Sequence, residues 1–206
     1  MVHQYKLIYF NARGRAEASR LIFAYAGVKY EDFRFDRADW PSLKTKMPFG
    51  QVPVLEIDNG KHVISQSKAI ARYLANEFHL VPKDHVQAAR GDMLVDGYED
   101  VQKHFIPLMM EQDPAKKKEL LRKLEIEQLA PFLKLYEKFL IDNGATFFLS
   151  DSITWTDLFL FDGLSKFKDR SPHSFDPHPK LNEFLEKIAN EPKIHAWLES
   201  RPKTEF

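Results

Sequence analysis

Three short stretches of this chain carry side chains whose types and spacing suit work on a thiol. Tyr9 to Arg15 reads Tyr-Phe-Asn-Ala-Arg-Gly-Arg, at the point where an apolar, strand-like run ends and a helical pattern starts. A phenol placed there lies near a helix N-terminus, whose free N–H groups and positive dipole end favour an anion. Either its O–H donates to a thiolate, with Arg15 strengthening the field, or Tyr9 simply packs at a strand end beside a solvated arginine. Keeping a thiol of pKa about 8.5 mostly ionised at neutral pH takes about 2–3 kcal/mol of preferential anion stabilisation, within reach of one or two charge-assisted hydrogen bonds. The chain has no cysteine, so the thiol is borrowed from another molecule.

The second stretch is Pro48-Phe49-Gly50-Gln51-Val52-Pro53-Val54. A cis bond before Pro53 would turn the backbone of Val52 outward, so that its N–H and C=O pair with an extended peptide as an added strand does; a trans turn would leave an ordinary strand entry. The third is Gln66-Ser67 at the start of a helical pattern, where the Ser67 hydroxyl and the first free N–H groups either grip a carboxylate, with Gln66 adding an amide donor, or cap the helix alone. Trp40 and Lys44 stand four apart and share a helix face, so indole N–H and ammonium suit a further carboxylate. A packed tryptophan beside a solvated lysine is the plainer reading.

Positioning these groups takes a particular order of elements. Lys6 to Phe10 and Tyr30 to Phe35 read as strands, and between them Ala18, Leu21, Ile22 and Tyr25 recur at helical spacing up to Gly27, a left-handed C-cap. Val54 to Ile57 and His62 to Ile64 flank Asp58-Asn59-Gly60, a hairpin signal, and a helix from Ser67 carries Ile70, Tyr73, Leu74 and Phe78 on one face. A mixed four-stranded α/β sheet with helices packed on it follows. His79 to Asp84, with Pro82 and no apolar periodicity, reads as a linker. Beyond it the pattern is all helical, over about 85–111, 115–142, 154–169, 180–190 and 192–200. The expected division is therefore 1–78, a linker 79–84, and a helical domain 85–206.

Composition excludes several classes. Thirty basic residues balance thirty acidic ones, so no whole-chain field draws in nucleic acid or an anionic membrane. Hydrophobic residues make up 44%, enough for buried cores and too many for disorder. No apolar run approaches the roughly 18 residues of a membrane span, and the short run Leu7 to Phe10 reads as a strand, so a cytoplasmic location is expected.

Taken together, Tyr9 to Glu17 (YFNARGRAE), Pro48 to Val54 (PFGQVPV), Gln66 to Leu74 (QSKAIARYL) and Ser152 to Asp157 (SITWTD) resemble the glutathione transferase superfamily over the whole chain. The opening motif, Asp39-Trp40-Pro41 and the closing Arg201-Pro202-Lys203-Thr204 resemble its Sigma class, which includes glutathione-dependent prostaglandin D synthases. The resemblance implies a thioredoxin-like N-terminal domain of β-α-β-α-β-β-α order and an all-α C-terminal domain. It implies that Tyr9 activates glutathione, and that Arg15, Trp40, Lys44, Gly50, Gln51, Val52, Pro53, Gln66 and Ser67 bind it. It further implies a homodimer in which Asp100 reaches the partner's glutathione amine, and a hydrophobic electrophile site between the domains lined by Phe10, Arg13, the Tyr98 to Leu108 helix face, the Phe159 to Gly163 helix and the C-terminal tail. The implied activity is conjugation of the glutathione thiolate to electrophiles, with hydroperoxide reduction or prostaglandin-type isomerisation in some members. A non-enzymatic ligand carrier or crystallin-like protein is the alternative.

The sequence departs from the prostaglandin synthases at Pro107-Leu108, where they carry a tryptophan after the proline. Asp96, Glu99 and Asp100 share a helix face, as do acidic residues tied to a divalent cation in those synthases, though three clustered acids also make an ordinary solvated face. His173 and His178 flank Asp176 on no common helix face, and no metal is assigned. Thr154 to Asp157 reads as a structural capping box.

Overall fold

The computed structural model of the chain describes residues 3–144 and 146–204. They form two compact units, one running up to Val81 and resuming at Asn190, the other Pro82–Ala189.

The first unit is built on a sheet of β1 (Tyr5–Phe10), β2 (Glu31–Phe35), β3 (Val54–Ile57) and β4 (His62–Ser65), in the order β2-β1-β3-β4. β1 and β2 are parallel, joined through α1 (Glu17–Ala26), while β3 and β4 are antiparallel to their neighbours. Both faces of the centre are covered. Leu7 pairs with Leu55 on one face and Ile8 with Val54 on the other, and all four are buried. The first face belongs with buried Leu21 and Ile22 of α1 and with Ile70, Ala71 and Leu74 of α3 (Ser67–Glu77), two helices that pack together. On the second face Ile8, Phe35 and Val54 gather Phe10, Trp40, Leu43, Met47 and Val52, which brings α2 (Trp40–Lys44) onto the sheet.

The turns follow their residues. Gly27 closes α1 at φ 70°, and Asp58 and Asn59 take φ 54° and 58°, the pair of positive values that a tight hairpin matching the strand twist demands.

The second unit is helical: α4 (His85–His104), α5 (Ile106–Met110), α6 (Pro114–Leu124), α7 (Ala130–Asp142), α8 (Trp155–Arg170) and α9 (Pro179–Ala189). Two expected helices are modified, each near a proline. The run expected over 85–111 breaks at Phe105 because Pro107, in the first turn of α5, has no N–H with which to continue the α4 ladder. The run expected over 115–142 widens into one π-turn, Glu125–Leu129, just ahead of Pro131, whose ring would clash with the carbonyl four residues back in a regular helix. Among the described residues no helix is long and apolar enough to cross a membrane.

The core of this unit is aromatic. Trp155, Phe148, Phe105 and Phe167 are almost fully buried, and the Tyr98 ring lies against the α8 backbone so closely that a Cβ on Gly163 would fall 2.4 Å from it. α8 starts on the expected capping box. Asp157, fully buried, accepts from the Thr154 N–H at 2.8 Å and its hydroxyl at 2.6 Å, and its other oxygen accepts from the Phe148 N–H at 2.8 Å. One carboxylate thereby ties a helix start to the loop before it.

The expected helical domain ran to the end of the chain. In the structure α10 (Pro192–Ser200) goes instead with the first unit, packed on α1, with Lys193 donating to the Tyr25 carbonyl at 2.9 Å. Its amphipathic periodicity marks a helix and is silent about which neighbour covers it.

Replacing Asp157 by alanine strands two buried N–H groups, so Asp157→Ala is expected to lower unfolding stability by about 3 kcal/mol or more. Chemical denaturation of the variant beside the parent measures it.

Candidate active site

The site grows from the end of β1. Tyr9 is its penultimate residue, opposite Arg34 in the parallel register, and the chain then turns through Asn11–Arg13 into one 3₁₀ turn, Gly14–Ala16, before α1. This turn seats the phenol. The Arg15 N–H donates to Tyr9 Oη at 3.0 Å, leaving the phenolic hydrogen to be donated elsewhere. Gly14 takes φ 43°, and a Cβ there would lie 2.4 Å from Tyr9 Oη, so the ring can occupy its seat only over a glycine. Behind the ring, Arg20 Cζ stands 5.9 Å from its centroid, and Arg20 Nη1 donates to the carbonyls of Ala12 at 2.7 Å and Arg13 at 3.3 Å. Gly14 and Arg20 were given no role on sequence grounds. The signals available were a glycine between two arginines and an arginine on the buried face of a helix.

Beside Tyr9 opens a pocket of about 560 Å³. It is lined by Phe10, Arg15, Trp40, Lys44, Gly50, Gln51, Val52, Pro53, Gln66 and Ser67, so four separate segments of the first unit meet there. Nine of these are the residues singled out for ligand binding; Phe10, next to Tyr9, had been set against the electrophile. Trp40 is held by stacking on Phe35, with ring centroids 5.8 Å apart, and by an edge contact with Phe10 at 5.4 Å. Lys44 follows one turn later on α2.

The Val52–Pro53 peptide is cis, and both residues face the pocket just before β3. Gln66 has φ 76°, a backbone conformation that a side-chain-bearing residue rarely adopts, and its amide reaches Gln51 Oε1 at 3.4 Å. Directly after it, Ser67 begins α3 and is 8% exposed, so the free N–H groups of an eleven-residue helix start at the pocket wall. Arg15 and Lys44 are the charged residues among the described lining, and the lining includes no carboxylate. Two cations, a helix N-terminus and several amide donors make a pocket suited to an anionic ligand.

Tyr9 is adjacent to this lining through Phe10 and Arg15. Asp100 belongs to α4 of the helical unit, with its side chain 75% exposed and within 2.8 Å of Lys103. Glu99 beside it is buried, so the expected acidic face is not uniformly solvated. His178 pairs with Glu137 at 2.8 Å and His173 with Asp176 at 3.2 Å. Among the described residues no group of three or more His, Asp or Glu side chains is placed to hold a metal.

Comparison with known proteins adds independent evidence. A family model described as the glutathione S-transferase N-terminal domain matches residues 5–76, and one for the C-terminal domain of the same family matches residues 99–201. The chain is 38% identical to glutathione S-transferase 1 of Ascaris suum over 206 residues, covering 98% of this chain and 99% of that one. It is 39% identical over 200 residues to hematopoietic prostaglandin D synthase of Gallus gallus, covering 97% and 98%. The crystal structure of monomeric Na-GST-3, a glutathione S-transferase of the human hookworm parasite Necator americanus, superposes with a TM-score of 0.88 at 35% identity, covering 98% of this chain and all of that one. Paired domain matches in the expected order and full-length identity well above 30% place the chain in the glutathione S-transferase family.

Proposed function

We propose that this glutathione transferase works by a Sigma-type mechanism, in which Tyr9 donates its phenolic hydrogen to the sulfur of glutathione and holds it as a thiolate. The observation that carries this reading is the direction of the Arg15–Tyr9 bond: the phenol oxygen accepts from the backbone, so its hydrogen is available to an anion. Arg15 adds a positive charge on the same turn. The thiolate then attacks a hydrophobic electrophile, the sulfur–carbon bond forming as the leaving group departs or the double bond takes up charge. The stabilising groups all belong to the chain, and the mechanism as proposed requires no metal.

The tripeptide is read onto the pocket in extended form. Val52 pairs with its backbone beside Pro53, with Gly50 and Gln51 alongside; the α3 N-terminus with Gln66 and Ser67 takes one carboxylate, and Trp40 with Lys44 the other. A homodimer in which Asp100 reaches the partner's glutathione amine, and a cytoplasmic role in detoxification, complete the proposal. The solved Necator americanus relative is described as monomeric, so the role of Asp100 depends on the oligomeric state of this chain. Isomerisation of a prostaglandin-type endoperoxide is proposed as a second activity, on the strength of the 39% identity to the Gallus gallus synthase. Against a close match in substrate stands Leu108, which is 5% exposed in the helical core where a tryptophan was expected of such synthases.

Tyr9→Phe is expected to lower kcat for a small electrophile by about tenfold to a hundredfold, the worth of one hydrogen bond to a charged group, with glutathione affinity held within a few fold. Steady-state kinetics beside calorimetric titration measure both, and an equally active variant would end the assignment. Gly14→Ala should displace the phenol from its seat and lower kcat by about tenfold or more, with binding again less affected. Sedimentation equilibrium tests the dimer: a concentration-independent mass of 24.1 kDa would remove Asp100 from the site, whereas a dimer predicts that Asp100→Asn weakens glutathione binding by roughly fivefold.

A further inference from the structure

A buried charge cluster lies behind the Tyr9 seat. Glu17 and Arg20, the first and fourth residues of α1, are both fully buried, and Arg20 Nη1 stands 3.2 Å from Glu17 Oε2. Through Nε the same guanidinium donates to Asp32 Oδ1 at 3.1 Å, and the other Asp32 oxygen accepts from Arg34 Nε at 2.8 Å. The remaining oxygen of Glu17 is satisfied from far along the chain: Oε1 accepts from the Trp197 indole N–H and from Arg201 Nη1, each at 2.9 Å. α10 and the residue that follows it therefore end on the carboxylate that begins α1.

The physical chemistry of a dry carboxylate gives this arrangement a consequence. Burial pushes the Glu17 carboxyl up, but Arg20 and the bonds from Trp197 and Arg201 outweigh it and hold it below the usual carboxylate range. Without the two C-terminal donors Oε1 would lose both of its protein partners in a fully buried site, and the carboxylate would gain by turning both oxygens to Arg20. Arg20 Nη1 is the atom that also holds the carbonyls of Ala12 and Arg13. Tyr30, whose hydroxyl is pushed up by burial and by Asp32, remains neutral, and among the described residues of these ion pairs three guanidinium groups, Arg20, Arg34 and Arg201, face two carboxylates.

We propose that Trp197 and Arg201 are positioning residues for thiolate formation: they fix Glu17, Glu17 shares Arg20 with the carbonyls of Ala12 and Arg13, and those carbonyls set the turn that seats the Tyr9 phenol. The inference rests on Tyr9 being the donor to the thiolate. It extends the site to a segment almost two hundred residues further along the chain, whose Trp197 and Arg201 are not among the residues lining the pocket.

The test compares the double variant Trp197→Phe/Arg201→Met with Tyr9→Phe and the parent enzyme, following the thiolate absorbance of bound glutathione against pH. The double variant is expected to raise the apparent pKa of the bound thiol by about one unit, through a shifted donor and a lost positive charge. At pH 6.5 kcat should fall by about tenfold and recover at higher pH, with KM for glutathione within about threefold. Trp197→Phe/Arg201→Lys, which restores the cation, should recover most of the shift. A thiol pKa that stays at the parent value in the double variant, while Tyr9→Phe raises it, overturns the proposal and leaves Tyr9 in place. If neither variant moves the thiol, the role of Tyr9 falls and the proposal falls with it. Should the double variant not fold, Arg201→Met alone, whose guanidinium-bearing side chain is 22% exposed, is read on the same scale, and an unmoved thiol there overturns the proposal.

Discussion

Everything at the candidate site depends on a single oxygen atom having its lone pair occupied by the backbone. Tyr9 Oη accepts the Arg15 N–H at 3.0 Å, which helps to orient the phenol and leaves its hydrogen for another acceptor. That bond requires the turn after β1 to pass within contact distance of the ring, and the turn can do so only because Gly14 has no side chain. The rest of the first unit supports this approach. The parallel β1–β2 pairing ends the strand at the right point, α1 starts directly beyond, and Arg20 reaches back from α1 to hold the carbonyls between them.

The pocket beside the phenol is assembled from four segments that no local interaction brings together. Arg15 comes from the turn after β1, Trp40 and Lys44 from α2, Gly50 to Pro53 from the entry to β3, and Gln66 with Ser67 from the start of α3. The sheet unites them, since each segment lies just before or after a strand or opens a helix that packs on one. Burial of Ile8, Phe35 and Val54 under Trp40, Leu43 and Val52 is therefore also what gives the pocket its wall. At roughly 25 cal/mol per Å² of apolar surface removed from water, this packing is the main favourable term, and the polar donors of the pocket are carried on it.

Much of this was legible from residues with one strong local preference. Asp58-Asn59-Gly60 announced a hairpin, Gly27 a helix end, and Thr154 with Asp157 a helix start, and each is found there. The residues that line the pocket were singled out because their motifs together resemble those of a known family; taken alone, a tryptophan four residues before a lysine or a serine opening a helix has a plainer structural use. What was not legible depends on distant partners. The left-handed backbone of Gln66 has no sequence signature, because glutamine has no intrinsic preference for it and only the surrounding fold holds it there. The break at Phe105 and the widened turn before Pro131 were available in principle from the prolines, but whether a proline kinks, widens or ends a helix is decided by packing. The attachment of α10 to α1 rests on contacts between Glu17 and residues about 180 positions away, which periodicity cannot report.

That attachment also imposes an order on biosynthesis. The sheet unit is interrupted in the chain by the whole helical unit, so α10 leaves the ribosome after every strand it helps to complete. Until it arrives, Glu17 is an acid at the start of α1 with one oxygen unserved, and a nascent sheet that buried it would bear that penalty. Glu17 is therefore fully served only once α10, made after all four strands, has docked on α1.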